Sequence, residues 1–318
     1  MWLRLASTVS LSALRARGSA DVNVAPPRFG SIASRASRGA LSATRLTGSI
    51  CLAVILAATT SFAQRGWGRG YGRGEGGIPP VFRQSSDFDG AFQACRLMYR
   101  QVRSHQRGLG WGTDYPDAEI NFSIRLSELT KTRVSRSKEN QPNHFVVRPT
   151  DAQLFECPIL MMSDPGSVGF DEEDAAGLRA YLLKGGFLWA DDFWGPWAWD
   201  DFTSEIAKVL PPAQYPVADL TLDHPIFRTM FTVTRIPQVP SWQYWSESGD
   251  TSEMGAYSAV PHMAAIRDAS GRILVLMTHN TDIADSWERE GQNPKYFLSF
   301  SPEGYALGLN VALYAMSH

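Results

Sequence analysis

The sequence is short of cysteine, of charge and of long apolar stretches. Three cysteines among 318 residues exclude a fold held by a dense set of disulfides. Charged residues make up 19% of the chain, while 44% are hydrophobic, which suffices for one good core or two small ones. Motifs of the forms G-x-S-x-G, C-x-x-C and H-E-x-x-H are absent, as is a Walker phosphate loop, so none of these standard catalytic or metal-binding signatures applies.

Acidic residues are nearly absent from the first 63 positions, which contain seven arginines and one aspartate. The remainder of the chain then has 23 basic and 31 acidic residues, a net charge of −8. Nucleic-acid-binding domains rely on basic patches that neutralise phosphates. The charge of residues 64–318 therefore argues against a nucleic-acid partner.

The amino-terminal region has the pattern of an export signal. Arg45 precedes an apolar stretch over residues 46–58, and the small residues Ser61 and Ala63 flank Phe62. This combination predicts cleavage near Ala63 and a periplasmic or extracellular location. The apolar stretch is shorter than the roughly 20 residues of a spanning helix, so no stable transmembrane helix is expected in the mature chain.

Residues 64–80 read QRGWGRGYGRGEGGIPP, a composition typical of a flexible, solvated tether. We therefore expect three regions, namely an extended signal region at 1–63, a linker at 64–84 and one α/β domain at 85–318. The arginines and aromatic rings of the tether could also contact an anionic surface, although a plain linker is the simpler interpretation.

Two cysteines fall inside the predicted domain. Cys95 and Cys157 each lie beside a strand-like apolar run. They either form one disulfide in an oxidising compartment or remain buried thiols, and the second interpretation is favoured.

Within residues 85–318, apolar runs alternate with helical patterns. Runs at 158–162, 187–190 and 273–277 are typical of buried strands, and helices are predicted over 115–129, 201–210 and 301–316, with a further helix capped by Asp171. Alternation of this kind predicts a parallel sheet with helices on both faces. Ligands bind such sheets at the carboxyl ends of the strands.

Two adjacent carboxylates, Asp191 and Asp192, follow the strand at 187–190. Adjacent carboxylates repel each other, so either one has a raised pKa or the pair holds a cation. Alternatively, one of them caps a helix or binds loop amides. Trp194 follows closely and is predicted to line the same pocket.

His224 precedes a proline in a turn, and Asp282 lies in a polar loop after the strand at 273–277. His224 is a candidate base or metal ligand, or else a structural residue. Because crossovers return over the carboxyl ends of strands, we expect Asp191 or Asp192 within ~10 Å of His224, with Asp282 on the same edge.

Five motifs lie at Tyr99, 113–116, 185–195, 224–227 and 308–314. Together they resemble the domain-of-unknown-function 4159 family. That family is grouped with flavodoxin-like, class I glutamine amidotransferase-like folds and is related to trehalose-utilisation-type domains. Glutamine amidotransferases carry a nucleophilic cysteine on an elbow after a central strand. Here the corresponding strand leads to Asp191, so the resemblance does not imply glutaminase chemistry. It does imply a part in cell-envelope assemblies.

Three functional hypotheses follow. The first is a non-catalytic envelope domain that binds a peptide, a sugar or a protein. The second is a carbohydrate or amide hydrolase that uses Asp191 or Asp192 with His224. The third is a site for a divalent ion such as Mn²⁺ or Mg²⁺, built from Asp191, Asp192, His224 and Asp282. No cofactor is predicted under the first hypothesis.

Overall fold

The computed structural model describes residues 77–82, 84–104 and 108–318. The expected signal region and the expected linker through residue 76 lie outside the described residues. Two residues within the expected linker already belong to the domain. The backbone of Val81 accepts a hydrogen bond from Val146, and Phe82 forms a parallel bridge to the same residue.

A seven-stranded sheet forms the centre of the domain, in the order β2-β1-β3-β4-β7-β6-β5. The first five strands of this order are parallel, whereas β6 pairs antiparallel with both β7 and β5. The strands are β1 (Ala94–Leu97), β2 (His144–Val147), β3 (Leu160–Ser163), β4 (Leu188–Asp191), β5 (Val217–Asp219), β6 (His262–Arg267) and β7 (Ile273–His279).

The predicted parallel sheet is therefore present over five strands, and the pairing becomes antiparallel at one edge. A tight turn joins β6 to β7, in which the Asp268 carboxylate accepts hydrogen bonds from the backbone N–H groups of Ser270 and Arg272. Such a turn allows the two strands to pair directly as a hairpin, without a crossover helix.

Helices cover both faces of the sheet, as predicted. One core contains side chains of α2 and α3 against one face, and a second core contains side chains of α1 and α6 against the other. The helices are α1 (Asp117–Leu129), α2 (Glu172–Leu183), α3 (Gly195–Val209), α4 (Trp242–Ser248), α5 (Asp285–Glu288) and α6 (Pro294–Ser317).

Helix starts follow local capping chemistry. Asp171 caps α2 as predicted, and it forms a reciprocal capping box with Asp174. The predicted start of the last helix at Ser301 is wrong, because α6 begins at Pro294. Asn293 caps this earlier start by accepting two backbone hydrogen bonds, and proline suits the first helical position. Pro302 lies inside α6.

Cys95 of β1 and Cys157, which precedes β3, form a disulfide. The preference for two buried thiols was therefore wrong. β1 and β3 are neighbours in the sheet, which brings two residues 62 positions apart within bonding distance. Among the described residues, no helix combines the length and apolarity needed to cross a membrane.

Candidate functional site: an acidic cleft at the carboxyl edge

A cleft of about 230 Å³ opens at the carboxyl ends of β3, β4 and β7. Aromatic side chains of Trp194 and Trp242 line it together with the guanidinium of Arg289. The remaining polar lining is dominated by carboxylates, and we call this site the acidic cleft. Its carboxylates are Asp114, Asp164, Asp192, Glu253, Asp282 and Asp285.

Strand pairing places two of these carboxylates side by side. Ser163 of β3 pairs with Asp191 of β4, so Asp164 and Asp192 each follow the last paired residue of neighbouring strands. Both adopt left-handed backbone conformations, with φ of 47° and 58°, and Asp114 does so too, with φ of 64°. Such conformations are costly for residues other than glycine and are often retained at functional sites.

Asp191 lies beneath the cleft and does not line it. Its side chain is fully buried, accepts a hydrogen bond from Thr278 Oγ1 and accepts another from the backbone N–H of Ala284 at 2.9 Å. Burial raises the pKa of Asp191 to about 7. Asp191 therefore holds the loop after β7 against the end of β4. This agrees with the alternative hypothesis that one of the two adjacent aspartates binds loop amides.

Asp192 faces the cleft. Its carboxylate accepts a hydrogen bond from Trp194 Nε1 at 3.1 Å, and Trp194 borders the cavity as predicted. Burial, reinforced by the nearby charges of Asp114 and Asp164, raises the pKa of Asp192 well above its ordinary value. Burial also raises the pKa of Asp164, to about 7, although the backbone N–H of Gly110 donates to its carboxylate.

The loop after β7 and the start of α5 supply two further carboxylates, Asp282 and Asp285. Asp282 accepts a hydrogen bond from the backbone N–H of Asp285 at 2.9 Å. Asp285 in turn accepts from Trp242 N at 2.7 Å and from the Tyr296 hydroxyl at 3.0 Å, and it pairs with Arg289 at 3.3 Å. Burial and the neighbouring carboxylates raise the pKa of Asp282 well above its ordinary value.

Two groups of three carboxylates share Asp114. Asp114, Asp192 and Asp282 form one group, and Asp114, Asp285 and Glu288 form the other. In each group, one oxygen per side chain lies within 4.8 Å of the others. All these ligand atoms are carboxylate oxygens, a set that suits hard divalent cations such as Mg²⁺, Mn²⁺ or Ca²⁺.

His224 does not reach the cleft. Its imidazole accepts from the backbone N–H of Ile226 and lies 5.5 Å from the ring of Tyr314, near the end of α6. The acidic cleft instead contacts the start of α6, where Tyr296 meets Asp285. Tyr296 and Tyr314 are 18 positions apart in α6, a rise of about 27 Å at 1.5 Å per residue.

His224 is therefore not among the residues that line the acidic cleft with Asp192. The turn that follows this histidine buries Ile226 and Phe227 in the core under α6. Burial of these two side chains holds the turn on the face of the sheet, away from its carboxyl edge. His224 is a capping residue of that turn.

The sequence singled out part of the cleft. Asp192 and Asp282 are both among the residues expected at this edge, because each follows a predicted strand. Asp114 and Glu253 were not recognised as site residues, because each lies in a loop that follows no predicted strand. Asp114 has a positive φ, and the sequence does not predict this backbone conformation.

The fold and the cleft together define an α/β domain with an acidic site at the carboxyl edge of a mostly parallel sheet. Residues 96–316 match the family model described as "Domain of unknown function (DUF4159)", and the chain belongs to that family. A comparison with curated proteins gives no match.

Proposed function

We propose that the chain is an exported ligand-binding domain of the cell envelope whose acidic cleft binds a divalent cation. The observation that carries this proposal is the pair of carboxylate groups that share Asp114, with oxygens within 4.8 Å of one another. This arrangement offers enough oxygen ligands for one ion, or for two ions bridged by Asp114. A metal bound here would present its open coordination positions to a ligand in the cleft.

The energetics of burial support a cation. Buried carboxylates destabilise a fold unless protons, hydrogen bonds or opposite charges compensate them. Among the described lining residues, Arg289 is the basic one, and it pairs with Asp285 and Glu288. Burial raises the pKa of Asp192 and of Asp282, and the neighbouring carboxylates raise both further. A divalent cation would replace the protons that these groups otherwise retain.

The scaffold assignment is part of the proposal. The five parallel strands lie in the order second, first, third, fourth, fifth along the chain, which is the flavodoxin-like order. This order supports a class I glutamine amidotransferase-like fold. Asp192 occupies the turn after β4, where such enzymes carry their cysteine, and Cys157 is bonded to Cys95. Both facts support binding in place of glutaminase chemistry, and the disulfide fits an oxidising compartment outside the cytosol.

Calorimetric titration of the chelator-treated protein with Mn²⁺, Mg²⁺ and Ca²⁺ tests the proposal. We expect stoichiometric binding of at least one ion, and a loss of affinity of at least tenfold in Asp114→Asn and Asp282→Asn. Asp223→Asn, an exposed aspartate beside His224, is the matched control and should bind normally. Failure of every ion to bind, or equal affinity in Asp114→Asn, Asp282→Asn and the control, would overturn the proposal.

A second candidate is metal-assisted hydrolysis. The specific observation is the pair Asp164 and Asp192, two carboxylates that end neighbouring strands and line one cleft. Two carboxyl groups facing one cavity can serve as acid and base. His224 has no part in this version. A panel of glycoside and amide substrates should show turnover that Asp192→Asn reduces at least a hundredfold, and unchanged turnover in that variant would rule the activity out.

A further inference from the structure

We propose that the acidic cleft binds an uncharged carbohydrate chain, with one sugar unit inside the cleft and the next unit on a pair of aromatic rings at its rim. These rings belong to Trp197 and Tyr257, and we call them the rim pair. The two residues are 55% and 65% exposed, and their ring centroids lie 5.3 Å apart. The inference deepens the proposed function, and it rests on that proposal in treating the cleft as a ligand site.

Both rings of the rim pair belong to elements that line the cleft. Trp197 lies in the first turn of α3, between Trp194 and Ala198, which both line the cavity. Tyr257 ends a short turn four residues after Glu253, which is also a lining residue. The rim pair therefore lies beside the cleft, where a ligand that leaves the cavity would meet it.

The loop that carries Tyr257 is held in place by buried contacts. Ser258 is fully buried, and its hydroxyl accepts a hydrogen bond from Met254 N at 2.8 Å. The backbone oxygen of Ser258 accepts another from Gln238 Nε2 at 2.8 Å. Met254 packs against the start of α3, because a Cβ atom at Gly195 would collide with its sulfur. An exposed ring on a fixed loop loses little conformational freedom on binding, which favours a role in recognition.

The charge of the cleft indicates an uncharged ligand. Among the described residues, six carboxylates and one guanidinium line the cleft, so an anionic ligand would be repelled. A cationic ligand would compete with the proposed metal ion for the same oxygens. Carboxylate oxygens accept hydrogen bonds, and sugar hydroxyl groups donate them without adding charge. Hydroxyl oxygens also suit the coordination sphere of a hard divalent cation.

The position of the cleft in the sheet disfavours a peptide. The cleft opens at the ends of β3, β4 and β7, and each of these strands is paired on both sides. A peptide that binds as an added strand needs a free strand edge, which these central strands do not offer. A peptide that binds as an amphipathic helix needs an apolar groove, whereas carboxylates dominate the polar lining here.

The size of the cleft indicates how much of the ligand it holds. Its volume of about 230 Å³ is below the roughly 300–1,000 Å³ of pockets that enclose drug-sized ligands. We therefore assign one sugar unit to the cavity. The next unit would cover the rim pair, because the apolar C–H face of a sugar ring can pack flat on an aromatic ring. This contact would bury two large side chains that are otherwise exposed to water.

Calorimetric titration with hexasaccharides in the presence of Mn²⁺ tests the inference. The uncharged probes are cellohexaose, maltohexaose and the hexamer of N-acetylglucosamine, and the glucosamine hexamer is the cationic counterpart of the last. We expect at least one uncharged probe to bind, and Trp197→Ala and Tyr257→Ala each to weaken its binding at least tenfold. Trp197→Phe and Tyr257→Phe should restore most of the affinity, because they retain the ring.

Phe155→Ala is the matched control, since Phe155 is 48% exposed and precedes β3, at the opposite edge of the sheet. This variant should bind the sugar normally, and thermal unfolding shows that each variant is folded. Three outcomes would overturn the inference. They are no binding of any uncharged probe, equal binding by the alanine variants of the rim pair and the control, and binding of the glucosamine hexamer alone.

A separate titration with Mn²⁺ in the absence of sugar distinguishes this inference from the proposed function. Metal binding without sugar binding would overturn the inference and leave the cation site standing. Sugar binding that depends on the rim pair, in a protein that binds no ion, would support the inference and overturn the cation site.

Discussion

A buried ion pair beneath the acidic cleft allows a quantitative prediction. Arg96 of β1 is fully buried and contacts Glu119 of α1 at 2.6 Å, and the Glu119 side chain is 2% exposed. The Arg96 guanidinium also donates to Ser163 Oγ, which donates to Asp114 at 3.2 Å. The pair thus links the sheet, the first helix and one cleft carboxylate.

Removal of either partner leaves the other charge buried without compensation, which typically costs about 3–5 kcal/mol. We therefore expect Arg96→Met and Glu119→Met each to lower the free energy of unfolding by about that amount. The double substitution removes both charges and retains apolar volume. It should cost less than the sum of the two single changes by at least about 2 kcal/mol.

Urea denaturation followed by tryptophan fluorescence measures these free energies. The exposed pair of Arg100 and Asp171, with side chains 38% and 51% exposed, is the matched control, and its coupling should stay below about 1 kcal/mol. Additive effects at Arg96 and Glu119, within about 0.5 kcal/mol, would refute the reasoning.

Three further predictions concern other parts of the fold. Replacing Cys95 and Cys157 by alanine opens a loop of 62 residues and should cost about 4 kcal/mol in urea denaturation, whereas an unchanged midpoint would contradict the disulfide. Asn310 is fully buried and binds a loop backbone through three hydrogen bonds, so Asn310→Leu should cost about 2–4 kcal/mol, and a loss below about 0.5 kcal/mol would show that these bonds contribute little. The raised pKa of Asp164, about 7 against 3.8 for the unperturbed group, means that the folded state binds its proton more tightly. The stability that the protonated Asp164 carboxyl contributes is fully present below the unfolded pKa and is lost as pH rises through about 7. Between roughly pH 4 and 7, the metal-free Asp164→Asn variant should therefore lose less free energy of unfolding than the wild type. Parallel plots of this free energy against pH would contradict the prediction.

Local signals in the sequence accounted for much of the parallel half of the sheet. Continuous apolar runs marked β3, β4 and β7, because strands buried on both faces need apolar residues at every position. The acidic first turn after Asp171 marked α2 for the same local reason, a favourable interaction with the helix dipole.

The remaining features depend on tertiary contacts that local patterns do not report. β5 is short and exposed, so it has no apolar run, and it pairs only because β6 offers a free edge. His224 does not line the cleft, and the burial of its neighbours Ile226 and Phe227 under α6 fixes its turn. Asp114 reaches the cleft through a loop whose left-handed conformation no short motif predicts.

Diffraction from crystals soaked in Mn²⁺, recorded at a wavelength where manganese scatters anomalously, tests the central claim most directly. The account predicts an anomalous peak in the acidic cleft within about 2.0–2.6 Å of an oxygen of Asp114, and also coordinated by Asp282 or Asp285. The claim would be contradicted if saturating Mn²⁺ gave anomalous peaks at surface carboxylates but none in the acidic cleft.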